Sequence, residues 1–404
     1  MNTFIWSRLI RAPYGVAVGG SILLQGLMLS MISPLIAILL TEQIGLDKNE
    51  VIVFFLLNTL MGAVVTLGTG WLSDGIVAPY KLVIFGGVTG MLGFVGLAQA
   101  TQPSHAWLAG LALAQFGVVF PQLFAIAKAG VVASWEHEAQ VMGMTVLRTM
   151  FSLGFVIGTV ISSVLARMDI RGVFMALAIP NLIVALSAAY LLYRMDGSIQ
   201  RQTQPESGEP SGAAAPVQRA LPLWVLVVPM LAMLLMRGAD STRTAYLPLV
   251  TLQLFNDASI APLMFSLSAA AELVAMGLMG YVAGKFGEKN AIAIGAFVGA
   301  AYYLVMSFSQ SLPLLYTSNV VYALFTGATA GVAMVYLQHL MGHRRGLGGS
   351  LYMTLFNVGN LIGILAPLLV QNYDQRIFIA PVLLCFGGAV LMLVGDRTAG
   401  VQRA

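Results

Sequence analysis

Five ionisable side chains stand inside long apolar runs: Arg148, Arg237, Asp240, Arg243 and Glu272. Where such runs cross a bilayer, a charge at mid-depth costs about 2.5 to 3.5 kcal/mol on insertion scales, so these residues face a cavity or a partner and are first read as functional. Arg237, Asp240 and Arg243 are spaced three apart, which on a helix brings them nearly onto one face. Gly238 lies among them and suggests a locally weakened helix of the kind that lines a ligand site. The competing reading ends the helix near Met236 and leaves the three charges in an outer loop.

Glu272 sits in the run Ala269-Ala-Ala-Glu-Leu-Val-Ala, with no basic neighbour close in sequence. A carboxyl in apolar surroundings favours its neutral form, which suits a proton carrier; the alternative is a permanent ion pair. Arg148 lies in the inner half of its run and either pairs with a buried acid or extends to the membrane surface.

These groups need a scaffold, and composition says which kind. The chain has 404 residues, 58% of them hydrophobic and only 9% charged, with a mean hydropathy of +0.87. Soluble domains carry roughly 25% charged residues, so the solvent is largely lipid. Net charge is +4, but the basic residues fall singly or in pairs between apolar runs, a membrane topology signal that speaks against nucleic acid. The single cysteine, Cys385, can form no internal disulfide.

A membrane helix needs about 20 apolar residues, and twelve such runs are expected: 14–40, 51–72, 82–100, 106–127, 141–166, 172–193, 221–252, 260–283, 291–308, 314–340, 347–370 and 377–394. The start carries Arg8 and Arg11 before a run too long for a signal-peptide core, so it reads as an uncleaved first helix. With the N-terminus inside, thirteen basic residues collect on the inner face against four on the outer. The bias places both termini in the cytoplasm. The chain reads as an all-α integral membrane protein of the plasma membrane, or the inner membrane of a Gram-negative cell.

Residues 196–220 are rich in Gln, Pro, Ser, Gly and Ala and read as a flexible cytoplasmic linker. They separate two six-helix bundles, 1–195 and 221–404. Three matches support an internal repeat: Ser33-Pro34-Leu35-Ile36 with Leu247-Pro248-Leu249-Val250, Gly70-x3-Asp74 with Gly280-x3-Gly284, and Gly154-Phe-Val-Ile-Gly158 with Gly359-Asn-Leu-Ile-Gly363. Their offsets are 214, 210 and 205 residues. Two parallel six-helix halves are an arrangement of secondary transporters.

The chain resembles the sugar efflux transporters of the major facilitator superfamily over most of the membrane region. The resemblance is carried by Asn58 to Gly62, Ser73-Asp74 with Lys81 to Phe85, Pro121 to Lys128, Arg148 with Val156 to Gly158, Ala269 to Lys289 and Tyr322 to Leu351. The sequence departs from the family where only Lys81 represents the paired basic end of the loop after helix two, where Gly284 replaces an acid, and where Gly342 follows Leu340-Met341 in place of proline.

The resemblance implies two pseudo-symmetric bundles and proton-driven export by alternating access, with a small sugar-like solute, protons and the bilayer as partners. It implies helices five and eight facing each other, hence a Glu272–Arg148 ion pair that opens on protonation, with Asp240 as a further proton-coupling group. It also implies a latch of Asp74 and Lys128 at the inner face; otherwise each is a solvated loop charge.

Side-chain amides both donate and accept, which suits sugar hydroxyls. Gln25, Gln115, Asn357 and Asn360 are the favoured contacts among Gln25, Asn58, Gln115, Gln122, Asn319, Gln338, Asn357 and Asn360, with interhelical packing as the alternative for each. Arg237, Arg243, Tyr246 and Tyr322 complete the expected substrate set. Tyr302, Tyr336 and Phe356 are further aromatic candidates, whereas the five tryptophans read as interface anchors.

Glu136, His137 and Glu138 lack a third ligand for a metal. No phosphate loop, nucleophile elbow or dinucleotide fingerprint is present, so an ATP-driven pump or an enzyme is not expected, nor is a cofactor. A monomer is. The runner-up reading is multidrug efflux on the same fold; a transport-dead sensor or scaffold ranks below it.

Overall fold

The structure, a computed structural model, describes residues 2–12, 14–73, 77–167, 169–195, 223–340, 345–370 and 372–397. These are helical almost throughout and contain no strand. The expected linker, 196–220, and Asp74 lie outside the described residues.

A short helix, Asn2–Arg11, precedes the first apolar run. The spans follow as α1 (Gly15–Ile32), α2 (Lys48–Ser73), α3 (Pro79–Gln99), α4 (Pro103–Ala114, continued to Val131), α5 (His137–Leu165) and α6 (Ile170–Met195). In the second part they are α7 (Leu223–Phe255), α8 (Ile260–Phe286), α9 (Glu288–Phe308), α10 (Leu312–Thr326, continued to Leu340), α11 (Arg345–Ile364) and α12 (Ile379–Arg397). Among the described residues, eleven helices are long and apolar enough to cross a bilayer; α11, with the short helix Ala366–Leu369, takes the remaining place in the order.

Both α4 and α10 are interrupted. In α4, Gln115–Val118 is 3-10 and Ala127–Val131 is π-helical; in α10, Gly327–Val332 is π-helical. Such breaks mark positions where a helix has shifted register locally, often at functional sites.

The chain forms two compact units, Met1–Pro216 and Val217–Ala404. In unit 1, α1 packs on α5, α2 on α4 and α3 on α6; in unit 2, α7 packs on α11, α8 on α10 and α9 on α12. The same pairing in the same order is what a duplicated six-helix unit produces.

The repeated glycines cause the closest of these contacts. A Cβ on Gly154 would lie 2.0 Å from the Leu23 carbonyl oxygen and one on Gly158 2.4 Å from that of Leu27, so α5 approaches α1 backbone to backbone. In unit 2, a Cβ on Gly359 would lie 3.2 Å from the Leu234 oxygen and one on Gly363 2.3 Å from the Gly238 oxygen. Without hydrophobic force between helices in lipid, close packing of this kind holds them together. The contacts pair residue 23 with 234 and 27 with 238, a register of 211. The proline match at 214 is therefore three residues out of register. Pro34 stands in the break between Ile32 and Ile36, whereas Pro248 lies inside α7.

A further correspondence escaped the sequence comparison. Asp169 and Asp374 each accept from the backbone two residues on, at Arg171 and Arg376 respectively, and begin the sixth helical segment of their unit. Nearby, Arg171 donates to the Ala98 carbonyl at the end of α3 (2.9 Å), and Gln375 donates to the Ser309 carbonyl at the end of α9 (2.6 Å).

Candidate functional site

The α7 helix is continuous from Leu223 to Phe255. The expected weakening at Gly238 is not found, nor does the helix end at Met236. Gly238 is small for a packing reason: its carbonyl meets Gly363 of α11, and its own Cβ would touch Ile362 at 3.0 Å. Arg237, Asp240 and Arg243 consequently emerge from one regular helix and are sorted by depth.

Arg243 is the deepest, 3% exposed. Its Nε donates to the Tyr302 hydroxyl (2.9 Å), and its Nη2 to Ser268 Oγ (3.0 Å) and Asn319 Oδ1 (2.8 Å). Tyr302 donates in turn to Asn319 Oδ1. The guanidinium lies between two rings, 4.1 Å from the Tyr322 centroid and 4.4 Å from that of Phe265. A buried guanidinium is tolerated when hydrogen bonds and ring faces replace its hydration. Arg243 thus fastens α7 to α8, α9 and α10. Tyr246, also expected in the substrate set, is fully buried in this structure and donates to the Ile364 carbonyl at 2.6 Å.

Arg237 and Asp240 form the shallower layer, with side chains 23% and 15% exposed. Asp240 Oδ2 accepts from Arg237 Nη1, and its Oδ1 accepts from the Tyr322 hydroxyl. Arg237 Nε donates to Asn360 Oδ1 (3.2 Å), and its guanidinium lies 3.4 Å from the Phe356 centroid. Asn360 is held by Ser241, which donates to its carbonyl at 2.9 Å. Asn357 is half-buried one turn earlier on α11. The layer therefore offers a carboxylate with spare lone pairs, guanidinium donors and amides, all beside an aromatic ring.

Tyr322 joins the two layers. It is 1% exposed, so it serves the site through its hydroxyl and its packing, not as an open stacking surface. Tyr302 and Tyr336 are buried too, which leaves Phe356 as the half-exposed aromatic of the expected set.

In unit 1, Gln25 and Gln122 are 2% and 3% exposed, and the Oε1 of each has no hydrogen-bond partner among the described residues. They stand on α1 and on the Val119–Ile126 segment of α4, which touch. Gln115 lies at the 3-10 break, half-buried, its amide on the Leu111 carbonyl (3.3 Å). Unit 1 also carries a row of half-exposed rings, Phe124, Phe120, Phe151 and Phe155, at successive centroid distances of 4.9, 4.6 and 6.5 Å. Their spacing of four residues on each of α4 and α5 was a readable signal that the sequence analysis missed.

Glu272 is half-buried on α8, one turn beyond Ser268, and Arg148 is exposed on α5. Lys128 is exposed on the π-helical segment of α4. Among the described residues no group of three acids, histidines or cysteines is placed to hold a metal.

The family follows from comparison of the whole chain. The model of the Major Facilitator Superfamily matches residues 18–256 and again 229–403, which together span nearly the whole chain. The chain belongs to this superfamily. A relative from Deinococcus radiodurans is 26% identical over 396 residues, covering 95% of this chain and 98% of its own. Sugar efflux transporter B of Salmonella typhimurium is 25% identical over 367 residues, covering 89% and 90%. Among solved structures, a nucleoside transporter superposes with a TM-score of 0.73 at 14% identity, covering 95% of this chain and 98% of that one. The superfamily chain described here is thus a multi-pass membrane transporter of the all-α, twelve-span class.

Proposed function

We propose that this transporter exports sugars or sugar-like small molecules in exchange for protons, by alternating access, from a bacterial inner membrane with both termini cytoplasmic. The substrate class is supported by the sugar efflux relatives. The coupling rests on one observation, the half-accessible Arg237–Asp240 pair inside a membrane helix.

An ionised Asp240 accepts hydrogen bonds from sugar hydroxyls while Arg237, Asn357 and Asn360 donate to ring and hydroxyl oxygens. Phe356 covers an apolar sugar face once the Arg237 guanidinium moves off it. Protonation removes the negative charge that holds Arg237 and weakens Asp240 as an acceptor. Proton and sugar then compete for one group, which is what exchange requires. Arg243, Tyr322 and Tyr246 hold this layer in place.

Gln25 and Gln115 supply contacts from unit 1. The family resemblance adds Glu272 and Arg148 as further proton-sensitive groups, and Asp74 and Lys128 as gating groups at the inner face. Residues 196–220 link the bundles 1–195 and 221–404, and the monomer is the working unit.

The test is counterflow of labelled sugar in proteoliposomes under an imposed pH gradient. Asp240→Asn is expected to bind sugar weakly and to lose the response to the gradient. Undiminished gradient-driven transport by this variant rules out Asp240 as the coupling group. The phenylalanine row of unit 1 favours a second reading, efflux of amphipathic drugs; stabilisation of the purified protein by lipophilic cations and by no sugar selects it.

A further inference from the structure

Three arginines stand at one corner of unit 1, where the apolar spans stop: Arg8 and Arg11 share a short helix, and Arg194 lies over the Tyr190 ring that Tyr14, just beyond that helix, also meets. The span of α1 begins at Gly15 and that of α6 ends at Leu192, so Arg8, Arg11 and Arg194 all stand just outside the hydrocarbon. The helix Asn2–Arg11 is turned onto α1 by a tight corner. Tyr14 has a left-handed backbone (φ 63°), Gly15 N–H donates to the Ala12 carbonyl at 3.0 Å, and a Cβ on Gly15 would lie 2.0 Å from the Leu9 oxygen. Only glycine fits there, so the helix is held at this angle with Leu9 buried and Ile10 exposed.

Aromatic rings support two of the three cations. The Arg8 guanidinium lies 4.7 Å from the ring centroid of Trp135, which is buried. The Arg194 guanidinium lies 5.7 Å from the ring of Tyr190, and Tyr14 meets the same ring edge-on at 6.4 Å. Arg11 is exposed and makes no side-chain hydrogen bond, ion pair or ring contact among the described residues. None of the three has an ion pair among the described residues. Glu136, beside Trp135, is exposed and pairs with none of them.

From this arrangement we infer that the corner binds the headgroup of an anionic phospholipid. The phosphate sits on Arg8, Arg11 and Arg194, and the acyl chains run along Ile10, Tyr14 and Tyr190. Guanidinium donors match phosphate oxygens two at a time. Aromatic rings at headgroup depth fit the same boundary, and basic clusters there attract anionic lipid over zwitterionic lipid. The inference does not depend on what the transporter carries.

The experiment uses the full chain in nanodiscs of phosphatidylcholine with rising fractions of phosphatidylglycerol, reading thermal unfolding by tryptophan fluorescence. The unsubstituted protein is expected to gain stability with phosphatidylglycerol, and the combined variant R8Q, R11Q and R194Q to lose that gain. With three arginines contributing, apparent lipid affinity falls on the order of a hundredfold. Lysine at the same three positions keeps most of the gain.

Arg11→Gln alone changes an exposed side chain with no ion pair among the described residues, so it reads out lipid binding even where the triple variant folds poorly; it is expected to weaken the response several-fold. Equal stability in the two lipids, or an undiminished gain in both glutamine variants, overturns the inference. So does an equal gain from inorganic phosphate in phosphatidylcholine alone, which would make the corner a site for free anions.

Discussion

The Tyr322 hydroxyl donates to Asp240 Oδ1, so the carboxylate of α7 is anchored on α10 from its buried side while Arg237 holds it from the accessible side. The two holds differ in kind. Tyr322 is buried and packed on Arg243, with nowhere to go; Arg237 is partly exposed and rests on a ring.

Removing only the hydroxyl separates these roles. Tyr322→Phe keeps the ring over Arg243 and loses a charge-assisted bond of about 1.5 to 3 kcal/mol. Thermal stability in detergent is expected to fall by a few degrees at most, on the order of a ΔΔG of 1 to 2 kcal/mol, while sugar affinity by calorimetry drops about tenfold or more. Unchanged affinity would show that Asp240 needs no second anchor.

Arg243 is expected to answer first to folding. Arg243→Ala strands the Tyr302, Ser268 and Asn319 groups in a buried pocket and is expected to cost about 3 to 5 kcal/mol in denaturant unfolding from mixed micelles. Arg243→Met removes the charge but fills the space, so it is expected to retain more of the stability.

Asn360→Ala tests orientation at the accessible layer. Ser241 bonds the Asn360 backbone carbonyl, so the α7–α11 contact survives while Arg237 Nε loses its acceptor. The transport KM is expected to rise about fivefold to tenfold, equivalent to roughly 1 to 1.4 kcal/mol, with little change in unfolding temperature.

Gln122→Met replaces an amide whose Oε1 has no hydrogen-bond partner among the described residues with an apolar group of similar length. A buried amide without hydrogen bonds costs about 1 to 3 kcal/mol on mutational scales, so the variant is expected to be as stable as the unsubstituted protein or more so. A simultaneous loss of sugar binding in the same preparation would identify the amide as a ligand contact.

Much of this architecture was legible in the residues. Apolar runs of the right length marked the spans, and the glycines at 154, 158, 359 and 363 marked the two closest helix crossings. The spacing of Arg237, Asp240 and Arg243 correctly put three charges on one helix, but the pattern could not say which of them is accessible. That is decided by Ser268, Tyr302 and Asn319, which approach from three other helices and share no motif. Gly238 misled because a small residue serves a flexible helix and a crowded one equally well. Pro34 and Pro248 misled because matching letters stand in different settings, one in a break and one inside a helix. The phenylalanine row was simply there at helical spacing, obscured by the many apolar residues around it.

At the crossing of α7 and α11, Gly363 lies where any side chain would strike the Gly238 carbonyl, and a Cβ there would also come within 2.6 Å of Ser241 and Thr242. Two rods pressed together with no cushion between them have no slack to absorb a push. In the proposed exchange, any movement of α7 that follows release of Asp240 by Arg237 would be handed to α11 undiminished, as a lever hands on a force at its fulcrum.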